Sequence, residues 1–381
     1  MRSNKMHCKF LLATVLLFGL SLFLDGGVSA QKTVKVDNKP LHIRVLGRAF
    51  FDAGFFMNDT LSFGNTVQVN DVRLGTIVSF LDNWEAKVEL GYANSKVTFK
   101  DVFLGYKYKE HSFRLGYQFE PFGNARIGTT NYRFMQNATA DAIFGNGRKI
   151  GISYSYNQKW WNVMAGVYSA ADIQGSDKMD QGYSLAAKVI GRPVLDEGKV
   201  IHLAVAPRFS SDKDVVTFKG GVPTMLLGKG ENGMLDVAVD DVINQWKLDC
   251  ECIMACNKWY FQGQYYLVHL NRSTEDNFTG KGGYAQMGFL ILGDHHNYKA
   301  KTGMLVNPDA KSLELLVRYN NVNLNNSGIV GGRMSDITVG MSYFLNKYVG
   351  AKINYTRMMA GNTAVKGGDF DLIQARIQVS F

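Results

Sequence analysis

The stretch that decides the fold runs from residue 41 to residue 55 and reads LHIRVLGRAFFDAGF. Its odd positions carry Leu, Ile, Val, Gly, Ala, Phe, Ala and Phe, whereas its even positions include His42, Arg44, Arg48 and Asp52. Successive side chains of a β-strand point to opposite faces of the sheet. Strict alternation therefore predicts a strand with one apolar and one polar face.

The same alternation recurs along the chain, for example at residues 84–92 and 371–381. These runs are roughly 10 to 14 residues long, which suits tilted membrane strands better than the usual five or six. A soluble sandwich also alternates, but it hides its apolar face in a core. A transmembrane barrel turns the apolar face to lipid and the polar face to a wet lumen.

A repeated turn followed by an aromatic residue favours the membrane barrel. It occurs as LDNW at 81–84, NQKW at 157–160, CNKW at 256–259 and LNKY at 345–348. Aromatics beside short turns at one end of many strands form the interfacial girdle of a membrane barrel. Four ordinary hairpins with chance aromatics are the alternative. The alternating strand that ends on Phe381 is also typical of bacterial outer-membrane barrels, whose assembly machinery reads that final strand.

The fold class predicted is all-β, a closed antiparallel transmembrane β-barrel of about 16 strands. An even number brings both termini to one side, and the four repeated turns lie on that side, the periplasmic one. The connection that follows the fifth strand, 121–147, is long, and residues 211–239 form a second long loop with room for a short hairpin. The predicted strands span 41–57, 68–81, 84–94, 97–109, 111–120, 148–157, 159–170, 180–190, 199–210, 240–256, 259–272, 281–293, 311–324, 333–345, 348–360 and 371–381.

Residues 1–30 predict a secretory signal peptide, and 31–381 predict the barrel domain. Basic residues precede an apolar run from Phe10 to Leu24, and Val28-Ser29-Ala30 offers a cleavage site. Without this leader the formal charge is about +7, with no basic clusters of the kind that bind nucleic acid. No later segment has the 18 or more consecutive apolar residues of a helical span. The predicted location is the bacterial outer membrane, with its lipid as a partner.

Sixteen strands enclose an aqueous channel rather than a side-chain-filled interior. We expect the third loop, 121–147, to fold into that channel as a constriction carrying Arg126 and Arg133, although an outward surface loop is the alternative. By parity the lumen receives slightly more basic than acidic side chains, which predicts a modest anion preference. Many of these charges are expected to pair across strands and stiffen the wall.

Several short motifs follow one another along the chain after the leader. They are NDVRLG at 70–75, WEAKVEL at 84–90, FKDVFLGY at 99–106, FEPF at 119–122, GRKIG at 147–151, QGQYY at 262–266, GGYAQ at 282–286, INYTR at 353–357 and the closing strand. In this order and spacing they resemble the phosphate-selective porins O and P, including their relatives in Bacteroidetes-type bacteria, over nearly the whole chain after the leader.

The resemblance implies a trimeric, water-filled porin with an inward third loop, in which basic residues of the wall and loop hold the anion. Arg73 matches the last arginine of an arginine-rich wall motif, Asp101 the aspartate after Phe-Lys, and Arg148 the arginine that closes the third loop. Where phosphate-selective members carry further arginines, this chain has Asn-Asp-Val at 70–72. Losing positive charge there weakens the field that would attract a dianion. The candidate pore and anion-contacting residues are Arg44, Arg48, Arg73, Asp101, Arg114, Arg126, Arg133 and Arg148.

The function expected is passive diffusion of small ions and hydrophilic solutes, with a modest preference for anions such as phosphate. The alternative is a secreted or surface β-rich binding protein without channel activity. No enzyme, cofactor or metal is expected, since the adjacent His295 and His296 have no accompanying nucleophile motif.

The stretch LDCECIMAC at 248–256 holds three cysteines in a spacing that superficially resembles a metal motif. On a strand, Cys250, Cys252 and Cys256 share the apolar face, and the outer two lie roughly 20 Å apart. One zinc ion binds thiolates at about 2.3 Å, so an extended strand cannot bring all three to it. We therefore expect three small apolar residues on the outer face of the barrel.

Overall fold

A computed structural model describes residues 31–36, 39–93, 96–124, 133–169, 182–211, 214–227, 233–326, 328–361 and 368–381. The predicted leader at 1–30 lies outside them. In this part of the chain there are twenty strands and one short helix. They are β1 (Gln31–Val36), β2 (Lys39–Met57), β3 (Thr66–Phe80), β4 (Trp84–Ala93), β5 (Lys96–Tyr108), β6 (His111–Phe119), α1 (Thr139–Phe144), β7 (Arg148–Asn157), β8 (Trp161–Ser169), β9 (Tyr183–Asp196), β10 (Lys199–Ser210), β11 (Asp214–Gly220), β12 (Leu235–Cys256), β13 (Trp259–Arg272), β14 (Phe278–Leu292), β15 (Asn297–Lys299), β16 (Met304–Val306), β17 (Ser312–Asn326), β18 (Ile329–Phe344), β19 (Val349–Ala360) and β20 (Phe370–Ser380).

Sixteen of these strands form one closed antiparallel barrel, which confirms the predicted fold class. They are β2 to β10, β12 to β14 and β17 to β20, and each pairs with the next along the chain. The barrel closes where β20 pairs with β2, for instance at Arg376 opposite Asp52. Closure leaves no unpaired edge, which satisfies the backbone groups of every strand inside a membrane.

Burial alternates along the strands as the sequence pattern predicts. In β10, Val200, His202 and Ala204 are buried, whereas Leu203 and Val205 are about half exposed. The exposed set is apolar and the buried set contains most of the charges. The apolar face of the barrel is therefore its outer surface, as in a membrane barrel.

The remaining strands are additions to this barrel. β11 pairs with the first part of β12, and β10 pairs with the rest of β12. The short hairpin predicted within 211–239 is thus present, although its second strand is the start of β12. β1 folds back on β2, and β15 and β16 form a separate two-stranded hairpin in the connection between β14 and β17.

The end of the barrel that holds the C-terminus also holds the four predicted turns, and we call it the tight-turn end. Trp84, Trp160, Trp259 and Tyr348 are partly exposed there, between about a third and a half of their surface. Such a ring of amphipathic aromatics is typical of a membrane–water interface. The opposite end, with the connections 120–147 and 211–234, is called the long-connection end.

Phe381 completes the barrel at the tight-turn end. Its backbone N–H donates to the Gly47 carbonyl at 2.9 Å, and the Gly47 N–H donates to the Phe381 carbonyl at 3.0 Å. A Cβ atom on Gly47 would lie 2.3 Å from the Phe381 ring. The absence of a side chain at Gly47 therefore leaves room for the terminal ring to lie across β2.

The three cysteines lie on the outer face of β12, as predicted. Cys250 and Cys256 are exposed and Cys252 is partly exposed, while Glu251, Ile253 and Ala255 between them are buried. Over the described ranges, no cluster of three or more His, Cys, Asp or Glu residues is arranged to hold a metal ion. Among the same residues, no helix has the length and apolar character to span a membrane.

Candidate functional site: the channel and the segments inside it

The connection between β6 and β7 crosses the interior of the barrel. Its described residues, 120–124 and 133–147, contact side chains that point inward from distant strands. Thr139 Oγ1 donates to Asp336 on β18 at 2.9 Å, and the Ala140 N–H donates to Asn320 on β17 at 2.8 Å. Arg376 on β20 donates to the Met135 carbonyl at 2.5 Å. These bonds fix the segment against the wall opposite to the one from which it leaves.

Asp141 in α1 is the buried centre of this attachment. Its carboxylate accepts a hydrogen bond from the Tyr266 hydroxyl at 2.7 Å and another from the Asn137 amide. A buried carboxylate needs such donors, because removing it from water without partners is costly. Phe144, one helical turn further on, packs in the large apolar cluster of the lumen, which also contains Phe218 and Phe278.

A second segment enters the lumen from the long-connection end. In the connection between β10 and β12, the carbonyl of Leu226 accepts a hydrogen bond from Gln68 on β3 at 3.0 Å. The carbonyl of Pro223 accepts one from Gln374 on β20 at 3.2 Å. The backbone of this connection is therefore held against the inner wall rather than above the barrel.

A third segment, the β15–β16 hairpin, enters from the tight-turn end and meets the first. Asn124 donates to the Gly303 carbonyl at 2.9 Å, and Arg133 donates to the Val306 carbonyl at 2.7 Å. Leu305 packs with Phe134 in a second apolar cluster, whose other buried members lie on β10, β12, β13 and β17. The hairpin thus covers the inner wall near these strands.

The wall formed by β3 to β7 keeps more of its charge accessible. The side chains of Arg114 and Lys107 retain 42% and 33% of their exposure, whereas those of Lys188 and Glu251 on the covered side retain 2% and 0%. Lys107 and Arg114 on β5 and β6 are therefore more exposed to the lumen than the charge pair of β9 and β12.

A ladder of alternating charges crosses this wall from β2 to β7. The Arg48 guanidinium contacts Asp71, and Arg73 pairs with Asp71 at 2.7 Å and with Glu89 at 3.3 Å. Lys87 pairs with Glu89 at 2.7 Å and with Asp101 at 2.6 Å, and Arg148 pairs with Asp101 at 2.6 Å. Opposite charges on neighbouring strands stabilise the sheet, and each charge is partly neutralised by its partner.

A smaller charge cluster lies nearer the tight-turn end. Lys107 contacts Glu85, and Arg114 lies 3.8 Å from the same carboxylate while its guanidinium stacks over the Phe103 ring. Lys301, at the tip of the hairpin, adds a positive charge from across the lumen. Burial, and next the nearby Lys107 ammonium, lower the pKa of Lys301. Two basic wall residues thus contact one carboxylate, and the hairpin lysine lies near them.

The structure places the predicted site residues in different surroundings. Arg48, Arg73, Asp101, Arg114 and Arg148 belong to the ladder or to the smaller cluster described above. Arg44 is exposed on β2, toward the tight-turn end. Arg126 lies outside the described residues.

Arg133 is buried where the third loop meets the hairpin. Its guanidinium lies 3.9 Å from Glu314 and 5.6 Å from the centre of the Tyr260 ring, besides donating to Val306. It therefore joins the third loop to the hairpin and to the wall.

Sequence parity missed two basic residues that lie near the charges of this wall, Lys100 and Lys301. The pairing of β4 with β5 shifts register between Val88 and Leu90, and this bulge turns Lys100 toward Gly91, Arg73 and Arg148. Bulges place two successive residues against one and so break the period of two. Lys301 lies in a connection, where no period exists to read.

A closed sixteen-strand barrel with segments folded into a charged lumen defines an outer-membrane porin. The chain belongs to the phosphate-selective porin O and P family, whose model matches residues 47–381. It is thus a channel protein of the bacterial outer membrane.

Individual relatives are distant. An uncharacterized protein of Caulobacter vibrioides is 23% identical over 342 residues, which cover 84% of this chain and 69% of that one. OmpT of Vibrio cholerae in its trimer form is 13% identical, with a TM-score of 0.62 over 90% of this chain and 99% of that one. An anion-selective porin from Comamonas acidovorans is 12% identical, with a TM-score of 0.59 over 90% of this chain and 100% of that one. These structural likenesses establish the fold.

Proposed function

We propose that this porin passes small hydrophilic solutes by diffusion along the β3 to β7 wall and favours small anions modestly over cations. The observation that carries the proposal is the pair of charge groups on that wall. The ladder holds four basic residues, Arg48, Arg73, Lys87 and Arg148, against three acidic ones, and the smaller cluster holds Lys107, Arg114 and Lys301 against Glu85.

The preference is modest because most of these cations are already paired. Arg73 divides its guanidinium between Asp71 and Glu89, so little of its field reaches an ion in the passage. A dianion must exchange its hydration for protein donors, which needs several unpaired donors at one place. We therefore propose no strict specificity for phosphate, in keeping with Asn-Asp-Val at 70–72.

Arg133 is assigned a positioning role in this proposal. Its partners are a carbonyl of the hairpin and a buried carboxylate of β17, so it holds the third loop in place. Arg44, Arg48, Arg73, Asp101, Arg114 and Arg148 remain candidates for ion contact, and Arg126 remains a candidate on sequence grounds alone.

The test is planar-bilayer recording of the purified protein under a potassium chloride gradient. The wild type is expected to show a reversal potential on the anion-selective side, and Lys107→Gln/Arg114→Gln to lower the ratio of chloride to potassium permeability by about threefold. Lys311→Gln/Lys347→Gln, at exposed turns, serves as the matched control. A cation-selective wild type, or an unchanged ratio in the first variant, contradicts the proposed preference.

We further propose that the protein is a homotrimer and that it acts by passive diffusion rather than catalysis. Family membership supports the channel, and OmpT of Vibrio cholerae, of like fold, is described in a trimer form. Chemical cross-linking in outer-membrane fragments tests the trimer, and a monomer under all conditions contradicts it. Recognition of the strand ending in Phe381 by the barrel-assembly machinery is proposed as well. It is tested by the loss of outer-membrane insertion in Phe381→Ala.

A further inference from the structure

Lys100 lies at a β-bulge in the wall formed by β4 and β5. Where the pairing of these strands shifts register, two residues of β5, Lys100 and Asp101, lie opposite Glu89 alone. A bulge interrupts the period of two and redirects a side chain. Asp101 reaches inward to Lys87 at 2.6 Å. The side chain of Lys100 also lies on the inner face, because its stem crosses Gly91, which continues the inward positions of β4.

Gly91 leaves the space that the Lys100 stem occupies. A Cβ atom at residue 91 would lie 2.3 Å from Cε of Lys100 and 3.3 Å from its Cγ. Gly91 pairs with Arg73 on β3, so the stem lies beside the charge ladder described above. The side chain of Lys100 is thus seated against the wall, and the residue keeps part of its surface open to the lumen.

The Lys100 ammonium lies in a positive part of the wall. The charges that act on it include three guanidinium groups and one carboxylate, those of Arg73, Arg148, Arg48 and Asp71. Within the described ranges, no carboxylate lies within ion-pair distance of Lys100, and its ammonium donates no hydrogen bond. Lys100 therefore differs from the four basic residues of the ladder, since each of those contacts at least one carboxylate.

The carboxylates of the ladder are not available to Lys100, because other cations already occupy them. Each of the three contacts two basic side chains. With Lys100 included, the ladder holds five basic residues against three acidic ones, an excess of two positive charges. An ammonium group has three N–H donors, and its partial removal from water without an acceptor or a counter-charge is unfavourable. A bound anion supplies both.

We propose that Lys100 binds one small anion at a time, with chloride as the simplest example, and is a direct contact for anions that pass along this wall. The guanidinium groups around it add to the attractive field, while their own donors remain on carboxylates. A single free ammonium holds an ion weakly, and conduction requires binding that is favourable enough to enter and weak enough to leave. This site rests on the proposed anion preference and assigns part of it to a residue outside the charge pairs.

The experiment is single-channel recording of the purified protein in planar bilayers between about 0.05 M and about 3 M potassium chloride. The wild type is expected to show a conductance that rises less than proportionally with salt, because the anion site fills. Lys100→Gln should lower the conductance at about 0.1 M by about threefold and change it by less than about 1.3-fold at about 3 M, where salt screens the charge. Lys100→Arg keeps the charge and should follow the wild-type curve within about 1.5-fold.

Two further variants separate the position of the ammonium from its charge. Gly91→Ala keeps every charge but displaces the Lys100 stem, and should lower the low-salt conductance by about twofold. Lys96→Gln, at the exposed start of the same strand, removes a charge outside the ladder and should follow the wild-type curve. The heat-dependent migration of each variant in detergent gels checks that its barrel is folded.

A wild-type curve in Lys100→Gln, with the wild type anion-selective, overturns this site and leaves the proposed function intact. A cation-selective wild type contradicts the proposed function itself. Equal losses at low and at high salt in Lys100→Gln would come from an altered channel shape, and they also overturn the site. An unchanged low-salt conductance in Gly91→Ala overturns the placement of the Lys100 stem over Gly91.

Discussion

Two parts of the inner wall carry similar charge pairs and differ in what covers them. On β4 to β6, Lys107 and Arg114 share Glu85 with a third or more of each basic side chain exposed. Between β9 and β12, Lys188 pairs with Glu251 at 2.5 Å, and both are buried. In both places, inward-facing and outward-facing side chains alternate along the strands in the same way. The segments folded into the lumen therefore decide whether a charge pair serves passage or holds the interior together.

The energetic roles of the two pairs should differ accordingly. A solvent-exposed ion pair contributes at most about 1 kcal/mol to stability, because water screens it and side-chain entropy opposes it. A buried pair costs several kcal/mol in desolvation per ion, which only the partner and its hydrogen bonds offset. The first pair can therefore change with little effect on folding, and the second cannot.

The largest expected effect follows from breaking the buried pair. Lys188→Met leaves the Glu251 carboxylate without its ammonium partner, and should destabilise the barrel by about 3 to 5 kcal/mol. Lys107→Met on the open wall should change stability by less than about 1 kcal/mol. The temperature at which the folded form disappears from detergent gels measures both. Equal shifts of that temperature for the two variants would mean that water reaches both ion pairs equally.

The second prediction concerns the hairpin that covers one wall. Replacing residues 297–306 with three glycines removes the β15–β16 hairpin and its contacts with Asn124 and Arg133. Single-channel conductance should rise about twofold or more, because a sixteen-strand barrel without inner segments holds a wide channel. Single-channel recording measures it, with Lys299→Gln as a control that keeps the hairpin. An unchanged conductance would show that the hairpin does not narrow the passage.

A smaller effect is expected from a single substitution in the cluster of Glu85, Lys107 and Arg114. Glu85→Gln removes the only carboxylate in contact with both Lys107 and Arg114 among the described residues, so both cations act on passing ions. The chloride to potassium permeability ratio should rise about twofold. Glu275→Gln, in the exposed loop after β13, is the control. A lower ratio in Glu85→Gln would place this cluster outside the passage.

The smallest effect on conductance is expected from lowering the pH. His296, before the hairpin, donates to the Lys258 carbonyl at 3.0 Å and faces Arg133 and, at 3.6 Å, Glu314. Burial, followed by the Arg133 charge, lowers the pKa of His296 to about 3. The docked hairpin therefore holds a neutral imidazole, and its docking weakens as the pH falls from about 6.5, where a free histidine protonates, toward about 3.

Conductance measured between pH 7 and pH 4 tests this effect. The wild type should show more frequent transitions to larger conductance as the pH falls, since the released hairpin uncovers the lumen. His296→Gln retains a donor without the titration and should flatten that dependence. The same acid response in His296→Gln would assign it to other groups.

The strand framework could be predicted from the sequence because side chains alternate with a fixed period. Positions 203 and 205 face outward and 202 and 204 inward, and the cysteines of β12 follow the same rule. The length of the loop 211–239 also indicated room for the short hairpin that contains β11. These features depend on local geometry alone.

The content of the lumen could not be read in the same way. Arg133 and Lys301 lie in connections between strands. The path of a connection depends on contacts with residues far away in sequence, such as the hydrogen bond from Arg133 to the Val306 carbonyl. Lys100 was missed because a bulge changes the period within β5. Arg48, Arg73, Asp101 and Arg148 of the ladder were candidates from the sequence, but the pairing of the ladder residues required the register of five strands.

The bond between Gly47 and Phe381 also bears on how the molecule is made. From Arg48 onward, β2 has no permanent neighbour on the side opposite β3 until β20 has arrived, because β2 and β20 come from distant parts of the chain. Pairing of such distant segments is slow, since the loop to be closed contains almost the whole protein. The unfinished barrel must therefore keep two open edges, and a helper that shields them during export would prevent pairing between different chains.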